Sequence, residues 1–221
     1  MTFLVLTLLP QAFAYNPTWS ELKDENGWTV QETIKTDVGD VVVSKKVIDA
    51  FPCFRGVTQY PKTLPVPLMI EIAADAESAI EWSSADVSDA KNLRQTNEYV
   101  DYWQYLEVPV FSDRMWFLRG YFEQEDSALL FRWDNLDNGG PHKDFYDQKV
   151  KQYPNAEMTP INLGAWRIEN KDGGTAVDYR LCSHPGGSVP PMLQSIATES
   201  TLPNNLRDII LETERRMELT K

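Results

Sequence analysis

What most limits the folds open to this chain is the order of its hydrophobic periods: two, then 3.6, then two over a long stretch, then 3.6 to the end. Trp28, Val30 and Ile34 share one parity, interleaved with Thr29, Gln31 and Thr33, which is the pattern of a half-buried strand. Asp37-Val38-Gly39-Asp40 reads as a turn before a second strand over 41–48, and 51–60 reads as a third. Pro61, Pro65 and Pro67 end the sheet run. Leu68, Met69, Ile72, Ala76, Ala79 and Ile80 then recur at three- and four-residue steps and predict a helix. From Tyr99 the period returns to two, and 99–108, 115–124 and 128–136 predict consecutive antiparallel strands. A polar loop opens at Asn138-Gly139-Gly140-Pro141 and reaches to about residue 157, with a short helix over 143–153. A last hairpin over 159–169 and 175–182 turns at Lys171-Asp172-Gly173-Gly174.

The C-terminal end returns to helical spacing. Ser188 resembles an N-cap, with Pro190 and Pro191 suited to a first helical turn. Val189, Met192, Leu193 and Ile196 face one way, and the stripe resumes at Leu206, Ile209 and Ile210. Pro203 between them is expected to break or kink the helix. Three strands, a helix, about five more strands and a long final helix make an α+β order. One curved antiparallel sheet wrapped around the terminal helix is the natural solution.

Size and charge set the outer limits. At 221 residues, 42% of them hydrophobic, the chain suits one domain with room for a sizeable core. Its 21 Lys and Arg stand against 33 Asp and Glu, a net charge of −12, and no basic run forms a patch. Such a surface repels phosphate backbones, so nucleic acid is excluded as a partner. Steady adsorption to anionic lipid is disfavoured as well, which leaves transient membrane contact through an apolar loop or helix face. The expected state is a monomer.

The apolar run Phe3 to Leu9 ends in Ala12-Phe13-Ala14, the small-x-small pattern of a signal-peptide cleavage site. Residues 1–14 therefore read as a signal peptide and 15–221 as the mature domain, secreted or periplasmic. No Lys or Arg precedes the run, which departs from an ordinary export signal. A buried N-terminal helix is the alternative. Cys53 and Cys182 both fall in strand-like runs and could pair in an oxidising compartment.

Tyr102-Trp103-Gln104, Ser112-Asp113-Arg114, Phe117-Leu118-Arg119, the run from Ser183 to Leu193, Thr201 to Asp208 and Arg215-Arg216 together resemble the START family of steroidogenic-acute-regulatory-related lipid-transfer domains. Trp82 and Val87 stand where that family commonly carries a tryptophan and a valine. The resemblance covers nearly all of 15–221 and implies the helix-grip fold, a sheet-walled cavity roofed by the terminal helix. It also implies that Cys53 and Cys182 lie on strands apart in the sheet, as two free thiols. The implied partner is a lipid or other hydrophobic small molecule, held singly in the cavity and transferred between membranes. A cyclase or hydrolase working in the same cavity, or a ligand-sensing module, is the rival reading.

Candidate ligand-binding residues follow from parity. Arg119 shares a row with Met115, Phe117 and Tyr121, and if that row faces the cavity its guanidinium needs a partner. Several animal members of the family pair an arginine here with a glutamate on the preceding strand, and the matching residue is Gln104. Arg119 is then free for an anionic or strongly accepting ligand head, or is satisfied by backbone carbonyls or an acid such as Glu107. Trp133, Trp166 and Tyr179 are placed on the concave face, and Met192 and Ile196 on the roof. Each aromatic also suits plain core packing.

Catalytic and metal residues are not expected, and no cofactor. His142 and His184 lack metal-ligand spacing, and there is no Gly-x-Ser-x-Gly elbow or phosphate-cradling glycine loop. Cys182 and His184 share a strand face, the one geometrically possible nucleophile and base.

Overall fold

The protein's structure is a computed structural model that describes residues 16–49, 51–108, 112–184, 186 and 191–219, with the backbone alone for 191–200. The first part of the chain forms α1 (Trp19–Lys23), β1 (Thr29–Thr36), β2 (Gly39–Ile48), β3 (Phe51–Tyr60), α2 (Val66–Ala74), α3 (Ala79–Trp82), β4 (Val87–Gln95) and β5 (Tyr99–Leu106). The second forms β6 (Arg114–Glu125), β7 (Ala128–Asn135), a 3-10 stretch (Asp137–His142), α4 (Lys143–Gln152), β8 (Glu157–Met158), β9 (Ile161–Lys171), β10 (Gly174–His184) and α5 (Pro191–Leu219).

The strands make one curved sheet in the order β1-β2-β3-β10-β9-β7-β6-β5-β4, antiparallel throughout except for the two-residue β8 beside β6. This is the helix-grip α+β architecture. Its concave face takes α2 and α5. Leu202, Leu206, Ile209 and Ile210 of α5 are fully buried in one cluster with Val41, Val43, Phe54, Ile72 and Val177. Gly56 permits the close approach: a Cβ there would stand 2.9 Å from Leu206 Cδ1. The convex face is covered too. α4 lies over β5 and β6, packing Phe145, Tyr146 and Tyr153 on Trp103, Tyr105 and Phe117. α1 places Leu22 and Trp19 over Ile48, Cys53, Leu163 and Cys182.

Several local outcomes differ from the sequence reading. The helix expected from Leu68 to Ile80 divides at Asp75, whose backbone leaves helical geometry and whose carboxylate accepts from the Ser78 N–H at 3.3 Å. β4 was not foreseen, because it is an edge strand whose register slips twice and so loses its alternation. Five-residue α1 is too short for a periodic signal, though Thr18 and Glu21 form the reciprocal capping box that the sequence carries. α5 runs on through Pro203, which is buried, without being broken. Apolar contact along that helix face outweighs the one backbone hydrogen bond that proline removes.

The cysteines call for a correction. Cys53 and Cys182 are joined in a disulfide, not free thiols, with Cα atoms 4.3 Å apart. The expectation of separate strands was mistaken, since β3 and β10 are neighbours and these two residues face each other in register. Bonding also removes Cys182 as a nucleophile for His184. The signal-peptide reading of residues 1–14 and the Ser188 cap lie outside the described residues.

Candidate functional site: an aromatic cavity under the terminal helix

The strands β5, β6, β7, β9 and β10 turn one row of side chains each toward α3 and α5, and between them lies a cavity of about 180 Å³. Its floor is Tyr102 and Gln104 of β5, Trp116 and Leu118 of β6, Phe131 and Trp133 of β7, Trp166 of β9, and Tyr179 and Leu181 of β10. Its roof is Ala73, Ala76, Ala79, Trp82, Val87 and Asn205. Close aromatic contacts fix the floor: Tyr179 stands 4.1 Å from Trp166 and 5.8 Å from Trp133, ring centre to ring centre. Gly164 lets Trp133 lie flat on the sheet, since a Cβ there would sit 2.3 Å from the indole.

The indoles hold their own polar neighbours in place. Trp133 Nε1 donates to Asn162 Oδ1 at 2.9 Å, and Trp116 Nε1 donates to Gln104 Oε1 at 2.9 Å. Burial pushes the Tyr179 hydroxyl well above the ordinary phenol range. Tyr102 is raised likewise, by burial first and then by the nearby Tyr179 and Asp134. Both phenols stay protonated across physiological pH. A polar seam closes the roof onto α5: the Ser84 N–H donates to Asp208 Oδ2 at 2.8 Å, and Arg216 Nη2 donates to Ser78 Oγ at 2.8 Å.

Of the residues singled out from sequence, Gln104, Trp133, Trp166 and Tyr179 line this cavity. Phe117, Arg119 and Tyr121 do not, and their placement is a correction. They occupy the opposite row of β6, on the convex face. Phe117 lies 5.2 Å from Tyr146 of α4. Tyr121 lies under the Arg132 guanidinium at 4.1 Å. Arg119 bonds Asp101 through Nε at 2.6 Å and Nη2 at 2.8 Å, with His142 Nε2 on the same carboxylate at 2.9 Å. Its partner is thus an aspartate directly opposite on β5, neither Glu107 nor a ligand. Both rows of β6 are apolar because helices cover both faces of the sheet, so alternation alone cannot say which row looks inward. Side chains of Met192 and Ile196 lie outside the described residues. Sequence reasoning missed Tyr102, Trp116, Leu118 and Asn205. The glycine at 164 was the available signal, because a mid-strand glycine marks a close approach and fixes the inward parity of β9.

No family model matches the chain. An uncharacterized protein of Pseudomonas aeruginosa is 24% identical over 201 residues, covering 90% of this chain and 88% of that one. A STAR-related lipid transfer protein from Xanthomonas axonopodis superposes with a TM-score of 0.69 at 18% identity, over 86% of this chain and 99% of that one. Human STARD10 superposes at 0.70 and 13% identity, over 90% and 78%. Human StAR-related lipid transfer protein 5 superposes at 0.67 and 11% identity, over 88% and 90%. The ten-stranded sheet, the helix it grips and the cavity between them give this chain the START fold, the fold of the STAR-related lipid transfer proteins.

Proposed function

We propose that this protein binds one hydrophobic molecule, a lipid, in the cavity beneath α5 and transfers it between membranes. The observation that carries the reading is the aromatic floor of Phe131, Trp133, Trp166 and Tyr179, roofed by α3 and by Asn205 of α5. Burial of a ligand there gains about 25 cal/mol per Å² of apolar surface removed from water. The cavity is smaller than the roughly 300–1,000 Å³ of drug-sized sites, so entry of a long-chain lipid requires α5 and the loop after α3 to part along the Ser84–Asp208 and Arg216–Ser78 seam. Membrane contact is transient, and the carrier is a monomer. Binding without chemistry is supported by the character of the inward polar groups. Among the described lining residues they are phenols held protonated, side-chain amides, the Ser83 hydroxyl and the single carboxylate of Asp75, which do not make up the acid–base pair that catalysis needs.

Export is part of the same proposal. It is supported by the Ala12-Phe13-Ala14 site and by the Cys53–Cys182 bond, since disulfides persist in oxidising compartments. Mass spectrometry of protein purified under native conditions tests the function. One lipid per chain is expected, together with uptake of a neutral fluorescent lipid and its delivery to acceptor vesicles. Protein that is folded, empty and unable to take up any apolar probe would refute the reading.

A further inference from the structure

We propose that the cavity selects a ligand whose polar end is an uncharged hydroxyl and rejects one with an anionic head. This rests on the binding reading above. Among the described lining residues the one charged side chain is Asp75, an acid, at the roof, and no Lys or Arg lines the space. A carboxylate or phosphate brought inside would lose its hydration with no cation to meet it, a transfer that is strongly unfavourable. The net charge of −12 opposes the approach of anions from solution as well.

The cavity's polar groups are built for a different guest. Tyr102 and Tyr179 are only 6% and 8% exposed, and among the described residues neither hydroxyl has a hydrogen-bond partner. A hydroxyl on a cavity wall that no described protein group engages is a place for a ligand's polar atom, and this wall carries two. Gln104 spends its Oε1 on Trp116 and keeps its amide N–H donors. On the opposite side Asn205 of α5 has a buried Oδ1 with no partner. Phenols donate or accept, the Gln104 amide donates, and the Asn205 oxygen accepts. A ligand hydroxyl both donates and accepts, so it can serve either kind. A carboxylate cannot donate to Asn205, and an alkane satisfies none of these groups.

The test compares a fatty alcohol, the fatty acid of the same chain length and the parent alkane. Each is titrated against a bound neutral fluorophore at a pH where the acid is ionised. The wild-type protein is expected to bind the alcohol at least about tenfold more tightly than the carboxylate, the ratio being set by the unmatched charge. Tyr102→Phe and Tyr179→Phe are each expected to weaken the alcohol by about two- to tenfold, the worth of one neutral hydrogen bond, and to leave the alkane unchanged. Equal or tighter binding of the carboxylate would overturn the proposal, and the wild-type ratio decides this without any variant. So would Tyr→Phe effects that fall alike on alcohol and alkane. Failure of all three probes to bind would overturn the carrier reading itself, and this inference with it.

Discussion

Asp101 has no exposed side-chain surface, and its carboxylate is met by both Arg119 and His142. Burial pushes its pKa up, but hydrogen bonds and charge from those two partners outweigh it and hold the group below the usual carboxylate range. Arg119→Met should therefore act through folding and not through ligand choice. The expected loss is about 3 kcal/mol, the low end for breaking a buried ion pair, because His142 still reaches the carboxylate. Denaturant titration measures it, and anionic and neutral probes should respond alike in the folded variant. The same residue makes a pH prediction. Its folded pKa lies below the unfolded value of about 3.9, so its contribution is complete above that value. It is lost as pH falls through the folded pKa. Asp101→Asn should flatten this part of the acid limb of a stability–pH curve. Identical limbs in wild type and variant would contradict it. At this scale the sequence was a partial guide. An arginine in an apolar row was visible as a group needing a partner, but the partner's identity depended on strand register, which sequence periodicity does not supply.

Elements were more legible where both their length and their burial were one-sided. β3 and β7 alternate over most of their length, and the β9–β10 hairpin announces itself by a turn with Gly173 and Gly174. α5 carries a long apolar stripe. β4 sits at an edge with broken register, and α1 is a single turn, so neither leaves a periodic trace. Pro203 is the place where local preference and packing disagree. A proline inside a helix is unfavourable by about 3 kcal/mol relative to alanine, yet α5 passes through it, with Leu202 and Leu206 on either side fully buried. Pro203→Ala is expected to raise stability by up to about 3 kcal/mol and to increase helical circular dichroism. A destabilised variant would mean that the helix relies on the proline's own packing more than on backbone continuity. If α5 must move for a ligand to enter, the same substitution should slow exchange of a bound fluorescent lipid.

For the molecule as a whole, the disulfide ties the N-terminal three-stranded part of the sheet to its last strand across a separation of 129 residues. Cross-linking so long a loop stabilises by about 2–5 kcal/mol. Reduction with a strong thiol, or Cys53→Ala with Cys182→Ala, should lower the denaturant midpoint accordingly. An unchanged midpoint would mean that the sheet contacts alone fix this junction. The overall α+β order and the grip of sheet on helix could be read from periodicity. The pairing of β3 with β10 could not, because nothing local in either strand names its neighbour.

That pairing has a consequence in time. β3 ends at Tyr60 and β10 begins at Gly174, so one edge of β3 stays unmatched while most of the chain is synthesised. Contacts this distant in sequence form slowly, and a bare strand edge in the interim invites pairing with other chains. The nascent polypeptide thus has no complete sheet to close until its last strand emerges. If the chain is exported as proposed above, the late strand works as a timer, keeping the polypeptide threadable until its far end has been delivered.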